Sequence, residues 1–281
     1  MTEFILAHEL TIRLGAFFGI FASMALWEIL LPRRRLLFSK LQRWLNNLSL
    51  VVLNTLLLRL LFPAAAVGMA SYAEIHGWGL FNAVPLPGWL AVVLSVVLLD
   101  LVIYLQHVMV HAVPALWRLH RVHHADPDYD VTTGARFHPI EIILSMLIKF
   151  ATIAALGPPV VAVIIFEVLL NGMAMFNHAN IRLPGWLDRR LRWLLVTPDM
   201  HRVHHSVEVD ESNSNFGFNL SIWDRLMGTY RDQPRLGHQG MTIGLTSIKE
   251  PRRTIRLSGM LLIPFQRGGD NYSINRRNWS E

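Results

Sequence analysis

Histidine is the residue type with which this sequence could do chemistry. Ten of its thirteen histidines fall in five places: His107 and His111 in HxxxH, His120, His123 and His124 in HxxHH, His138 before Pro139, His178 in FNHAN, and His201, His204 and His205 in a second HxxHH. Spacings of three and four bring side chains onto one face of a helix, so each motif aims two or three imidazoles in one direction. That is the geometry of a metal site built on helices. Neutral imidazole suits iron, zinc, copper and nickel rather than the oxygen-seeking magnesium or calcium. The chain has no cysteine, which removes disulfides, zinc-thiolate sites, iron-sulfur clusters and thiol catalysis together. One isolated HxxxH is as well explained by hydrogen-bonded structural residues; three such motifs in one region are not. His8, His76 and His238 lack partners at ligand spacing and are given no role.

Ten imidazoles exceed what one ion can take. Two ions with four or five nitrogens each would use them, and paired metals about 3.5–4 Å apart are an established catalytic arrangement. Bundle proteins with such pairs rely on Glu and Glu-x-x-His, yet this chain has no ExxH and few acids. A histidine-dominated di-iron site describes it better. His138 precedes Pro139 and Glu141, a pattern that also reads as a helix start, so it is expected either as a ligand or as a structural residue beside the site.

The elements that must hold these side chains are apolar. Hydrophobic residues make up 52% of the 281, and charged residues only 16%, against about 25% in ordinary soluble domains, so a membrane protein is expected. Four apolar regions stand out: Leu14 to Leu31, Leu48 to Ala70, Gly88 to His111, and Ile140 to Phe176. The last is long enough for two passes, and Gly157-Pro158-Pro159 breaks it, because two prolines remove backbone donors and clash with the preceding turn. The fold expected is an all-α, polytopic membrane bundle of three spans plus a helical hairpin, with a histidine-rich cap formed by residues 112–139 and 177–230. Asp100, Tyr104, His107 and His111 form a polar stripe on the third span; an intramembrane carboxylate such as Asp100 needs a partner inside the bundle, here expected to be a ligand imidazole or an arginine.

The charges orient this bundle. Lys and Arg are absent from Leu60 through Trp117, while Arg33, Arg34, Arg35, Lys40 and Arg43 follow the first span and many more follow Arg118. The positive-inside rule therefore puts the first loop, the cap and both ends of the hairpin in the cytoplasm. This accounts for the net charge of +6 without a nucleic acid partner. A cleavable signal is not expected, because the first apolar segment follows Glu3, Glu9 and Arg13 and ends in Pro-Arg-Arg-Arg like a stop-transfer flank. The chain divides into residues 1–89 (membrane helices and basic loop), 90–232 (the histidine domain) and 233–281, a tail whose Thr254 to Phe265 stretch is amphipathic and suits either the lipid interface or packing on the cap.

The motifs HVMVH at 107–111, HRVHH at 120–124, ARFHPIE at 135–141, FNHAN at 176–180, HRVHH at 201–205 and NFGFNLSIWDRLMGTY at 215–230 resemble those of the fatty acid hydroxylase superfamily, membrane non-haem di-iron proteins that include sterol desaturases. The resemblance covers roughly residues 90–231. It implies iron ligation by His107, His111, His120, His123, His124, His178, His201, His204 and His205, with His138 a tenth ligand. It also implies use of dioxygen as co-substrate to hydroxylate or desaturate a C–H bond of a lipid such as a sterol, acyl chain, carotenoid or ether lipid. Asp100, Tyr104, Asn180 and Asp224 are the expected supports of the ligands, with Asp224 and Arg225 bracing the cap. Val108 stands where many relatives carry Arg after the first histidine. No fused haem or flavin carrier is recognisable, so electrons would come from a separate reductase.

Two other classes compete. A zinc-dependent membrane hydrolase would use imidazole too, but HExxH is absent and catalytic zinc needs three protein ligands, not ten. A metal transporter would place its ligands near the bilayer midplane, whereas most histidines here lie in cytoplasmic connections. The lipid monooxygenase reading, with the site on the cytoplasmic face of a bacterial inner membrane rather than the endoplasmic reticulum, is preferred.

Overall fold

The computed structural model describes residues 2–266 except Lys249, together with Ile274. The parts of the tail at 267–273 and 275–281 lie outside the described residues. Among the described residues there are helices and three isolated β-bridges, and no strand. The helices that build the bundle and its cap include α1 (Glu9–Leu30), α2 (Lys40–Leu61), α3 (Ala65–Ile75), α4 (Gly88–Ala112), α5 (Pro114–His124), α6 (Pro139–Leu156), α7 (Val160–Asn177), α8 (Pro198–His204) and α9 (Leu257–Leu262). Five segments are long and apolar enough to cross a membrane: Glu9–Leu30, Lys40–Ala83, Gly88–Ala112, Pro139–Leu156 and Val160–Asn177. Their outward faces carry exposed apolar side chains such as Leu14, Phe18, Leu56 and Val93. Helices satisfy their own backbone groups, which is what hydrocarbon surroundings demand. This is the build of a multi-pass membrane protein.

The single apolar region expected from Leu48 to Ala70 is two helices. Pro63 has no amide to donate to the helix, α2 stops at Leu61, and Ala65, the first residue of α3, takes a left-handed φ of 51°. The hairpin break falls where expected: Gly157 ends α6 at φ 60° and Pro159 caps α7. A Cβ on Gly79 would lie 2.2 Å from the Gly157 amide nitrogen, so the hairpin tip packs backbone to backbone on the turn after α3. Each 18-residue arm thus runs about 27 Å between that turn and the histidines.

At the other end of the bundle, buried charges tie the cap to α1, α2 and the basic loop. Arg43 of α2 is fully buried and donates to both carboxylate oxygens of Asp126, at 2.9 and 2.6 Å, and to Asp130. Glu28 of α1 accepts the backbone amides of Val131 (2.6 Å) and Asn180 (2.8 Å), and Asp128 accepts those of Leu37 and Phe38. The basic loop is therefore stitched to the histidine end, as one charged face would require. The 254–265 stretch packs against the protein: Met260 and Ile263 join Leu50, Trp117 and Val122 in one apolar cluster, and Arg121 donates to the Ile263 carbonyl. Three arginine-to-carbonyl bonds, including those from Arg118 and Arg136, give the inward face partners that lipid would not supply.

Candidate metal centre

Nine histidines converge in two adjoining groups. His107, His111, His120, His124 and His204 form one; His123, His178, His201 and His205 form the other. Within each group one ring nitrogen per residue lies within 4.8 Å of all the others, and every residue is buried. Four elements supply them: α4 gives His107 and His111, α5 gives His120, His123 and His124, the C-terminal end of α7 gives His178, and α8 with its C-cap gives His201, His204 and His205. Helix α5 starts with Pro114 and α8 with Pro198 behind Thr197, whose side chain accepts the Met200 amide. Each short helix is thereby phased before its histidine motif begins.

Backbone and carboxylate acceptors set the rings. The Nδ1 of His107 bonds the Phe216 carbonyl (2.8 Å), that of His178 the Ala174 carbonyl (2.8 Å) and that of His204 the Ser214 carbonyl (2.7 Å). His111 Nδ1 faces Asn213 Oδ1 at 3.3 Å, and His120 Nδ1 bonds Glu141 Oε1 at 2.6 Å. A carbonyl or carboxylate only accepts, so Nδ1 carries the proton and the Nε2 lone pair points into the group. Burial, reinforced by the neighbouring histidines, pushes His123, His124, His201 and His205 well below the ordinary imidazole range. Burial likewise lowers His178 to about 4 and His204 to about 3. These rings are neutral at pH 7, the state in which they bind metal.

Hydrogen bonding alone does not satisfy this arrangement. His178 has one Nε2 lone pair, yet it faces His123 Nε2 at 3.2 Å and His201 Nε2 at 3.1 Å. In the other group His111 Nε2 faces His124 Nε2 at 3.1 Å, and the Nε2 atoms of His107, His120 and His204 are buried with no partner. Neither ring nitrogen of His205 has one. Two nitrogens bound to one first-row ion at about 2.0–2.1 Å lie roughly 3.0–3.4 Å apart, so a shared cation resolves each contact. The residues fit a pair of metal ions.

His138 stands apart from both groups. Its Nδ1 accepts the Ile140 amide at 3.2 Å, and it caps α6 ahead of Pro139. The expected supports are also redistributed. Asp100 touches no imidazole and no arginine in the hydrogen bonds it makes; it accepts from the Asn219 and Leu220 amides and from Trp223 Nε1 at 2.9 Å, clamping the 219–223 segment onto α4. Tyr104 bonds Thr229, Thr229 bonds Asp224, and Asp224 accepts the amides of Phe216 and Gly217. That chain ends on the peptide holding His107. Burial raises the Asp224 carboxyl to about 6 against the opposing hydrogen bonds. Asn180 pins Arg34 of the basic loop. His8 and His76 bond the carbonyls of Phe4 and Tyr72, four residues back in the chain, and His238 sits 3.7 Å from Asp199.

Glu141 is the support that sequence reasoning missed, having been taken only as a helix-start acid; a carboxylate followed by an almost unbroken apolar run was the available signal. Glu141→Gln keeps the volume and removes the charge that polarises His120. Metal affinity, measured by chelator competition, is expected to fall about 10–100-fold with helix content unchanged; an unaltered affinity would remove Glu141 from this role.

Residues 92–229 match the family described as Fatty acid hydroxylase. The chain is 30% identical over 187 residues to the ornithine lipid hydroxylase OlsE of Rhizobium tropici, covering 66% of this chain and 54% of that protein. It is 32% identical over 182 residues to the alkylglycerol monooxygenase of Xenopus tropicalis, covering 63% and 38% respectively. Against methylsterol monooxygenase 2-2 of Arabidopsis thaliana the identity is 27% over 175 residues, covering 60% and 64%. The chain thus spans about half of the first of these relatives and less of the second. No solved structure matches it. The matched segment contains all nine clustered histidines, Glu141 and the Asp224 brace, and with the relatives it establishes that this chain belongs to the fatty acid hydroxylase superfamily.

Proposed function

We propose that this protein is an oxygen-dependent hydroxylase of a membrane lipid, with two iron ions held by His107, His111, His120, His124 and His204 and by His123, His178, His201 and His205. The observation that carries the reading is the pair of buried imidazole groups whose lone pairs converge without hydrogen-bond partners. Iron pairs in this family supply dioxygen activation and hydrogen removal from an unactivated C–H bond. The names of the relatives, all lipid hydroxylases or monooxygenases, support a lipid as substrate.

The chain's own residues then do the rest. A cavity of about 420 Å³ reaches His107, His120 and His123 from between α1, α2, α4, α6 and α7, the position from which a lipid can be received. Phe137 stacks on His123 at 4.8 Å between ring centroids, holding that ring while covering it from water. Phe17, Phe21, Leu48 and Ile103 form an apolar wall that accepts a hydrocarbon chain and excludes solvent from the reacting carbon. Hydroxylation consumes two electrons and two protons per dioxygen and yields one water besides the alcohol; the electrons come from a separate donor protein and the protons from solvent. Arg33, Arg34 and Arg35 at the histidine end support a cytoplasmic orientation of that end.

Expression with iron, followed by metal analysis and comparison of lipid extracts with and without the gene, tests the reading. The expected result is close to two irons per chain and an oxygen-dependent lipid product heavier by one oxygen atom. Folded protein without iron, or an unchanged lipid profile under oxygen, overturns it.

A further inference from the structure

The cavity that touches the histidines has a second, charged end. Lys149 Nζ lies 2.7 Å from Glu167 Oε1, Arg13 Nη1 lies 2.9 Å from Glu167 Oε2, and Arg13 also pairs with Glu9 at 2.8 Å. Arg13, Lys149 and Glu167 line the same cavity as His107, His120 and His123. Lys149 and Glu167 sit near the middle of the two hairpin arms, and their side chains are only 14% and 8% exposed. Long cationic side chains within a membrane ordinarily reach for the interface. Here both cations turn into the bundle to meet one carboxylate beside a cavity.

The hairpin wall between the two ends is polar as well. On α6, Glu141, Ser145 and Lys149 recur every four residues, and on α7 Glu167 and Asn171 do the same; all five line the cavity. Ser145 bonds Gln106, which stands beside His107. The facing wall is mostly apolar, with Phe17, Phe21, Val51 and Leu58, and Asn54 and Thr55 are its polar members on α2. A cavity with a polar stripe along the hairpin and a mostly apolar wall facing it suits an amphipathic molecule better than a bare hydrocarbon, because a methyl terminus against the ion network would leave desolvated charges facing hydrocarbon. Charge counting narrows the polar group. Two cations, Arg13 and Lys149, face two carboxylates, Glu9 and Glu167, so the network is balanced and an added carboxylate or ammonium would be unpaired.

We propose that the Arg13–Glu167–Lys149 network binds a neutral hydrogen-bonding group, such as a hydroxyl, ester or amide, of the lipid substrate, whose chain runs up the cavity to the histidines. This rests on the lipid-hydroxylase reading above and deepens it. Along the helices, eight residues separate Glu141 from Lys149 and eleven separate Glu167 from His178, or about 12 and 16 Å. An extended alkyl chain covers that span in on the order of ten carbon–carbon bonds. The oxidised carbon therefore lies in mid-chain, far from the bound polar group.

The test uses the full chain, iron-loaded and reconstituted in lipid nanodiscs, with radiolabelled 1-hexadecanol displaced by hexadecanol, hexadecane or hexadecanoate. The wild type is expected to prefer the alcohol on the order of tenfold over both competitors. In Lys149→Met/Glu167→Gln that preference is expected to shrink to about twofold or less with metal content and helicity retained, an effect that helix-to-helix bracing alone would not produce. Should the double variant fail to fold, Arg13→Gln, which keeps the Lys149–Glu167 pair, is expected to weaken the preference for the alcohol by at least about twofold. Equal displacement by all three in the wild type, or a preference that survives in the folded variants, overturns the polar anchor while leaving the hydroxylase reading intact. Iron-loaded protein that binds none of the three counts against lipid binding in this cavity altogether.

Discussion

His204→Ala is expected to abolish the proposed lipid oxidation, by more than about 100-fold, and to remove at least one of the two metals proposed per chain. The figure of 10–100-fold belongs to partners that only orient a ligand, and His204 is inside the group. Its Nδ1 is fixed by the Ser214 carbonyl and its Nε2 has no other partner. Its ring centroid lies 4.5 Å from that of His107, 4.8 Å from His111 and 4.6 Å from His124. Alanine removes one nitrogen from the group, and a water in its place donates to the remaining lone pairs instead of supplying a fixed imidazole ligand. His138→Ala is the matching control: it removes a helix cap worth about 1 kcal/mol and is expected to leave the metal content unchanged. Metal analysis of the two purified variants decides between nine ligands and ten. Loss of metal in His138→Ala, or full metal in His204→Ala, would contradict the arrangement proposed here.

Arg43→Met is expected to destabilise the protein by about 3–5 kcal/mol, the cost of leaving buried carboxylates without their cation. Arg43 is fully buried, with two bonds to Asp126, one to Asp130 and a fourth at 3.3 Å to Thr133. Burial alone would raise the Asp126 carboxyl, but Arg43 and Arg136 together hold it below its ordinary range. With Arg43 gone, Arg136 at 3.8 Å is the remaining cation beside Asp126, which keeps its hydrogen bond from Thr133, and Asp130 loses its ion pair with Arg43. The segment 126–137 connects α5 to the α6 cap, so its loosening would disturb His120, His123 and His124 from one side and Glu141 from the other. Thermal unfolding in detergent, with metal content followed in parallel, is expected to show a lowered midpoint and earlier metal release. A midpoint equal to the wild type would mean that α2 does not anchor the cap.

The membrane helices were legible because their cause is local. Apolar runs, the Gly157-Pro158-Pro159 break and the basic loop each act within a few residues, and the helices end close to where those signals stand. Pro63 was as local a signal as Pro158, yet the flanking apolar residues masked it, and α2 and α3 were read as one region. Asp100 was misassigned for the opposite reason. A lone carboxylate in a span announces that it needs a partner, but the partners it has are two backbone amides and Trp223, about 120 residues away, and backbone groups carry no sequence signature. The same holds for His107, His178 and His204, whose Nδ1 partners are all carbonyls.

The sequence by itself determined that nine or ten imidazoles would meet at one end of a helical membrane bundle, but of the spacings that share a helix face only those of four stay together, while His120 parts from His123 and His201 from His204 at a spacing of three. Residues four apart on a helix share a face, and His107 with His111, His120 with His124, and His201 with His205 each stay in one group. Adjacent residues are turned by about 100°, and His123 parts from His124 just as His204 parts from His205. Where the parted residues go was decided only in the tertiary structure. His204 of α8 joins the group of α4 and α5, while His123 of α5 joins the group of α7 and α8. Each helix lends one imidazole to the other's group, because the angle at which two helices meet is set by packing over the whole cap, which no spacing within either motif records.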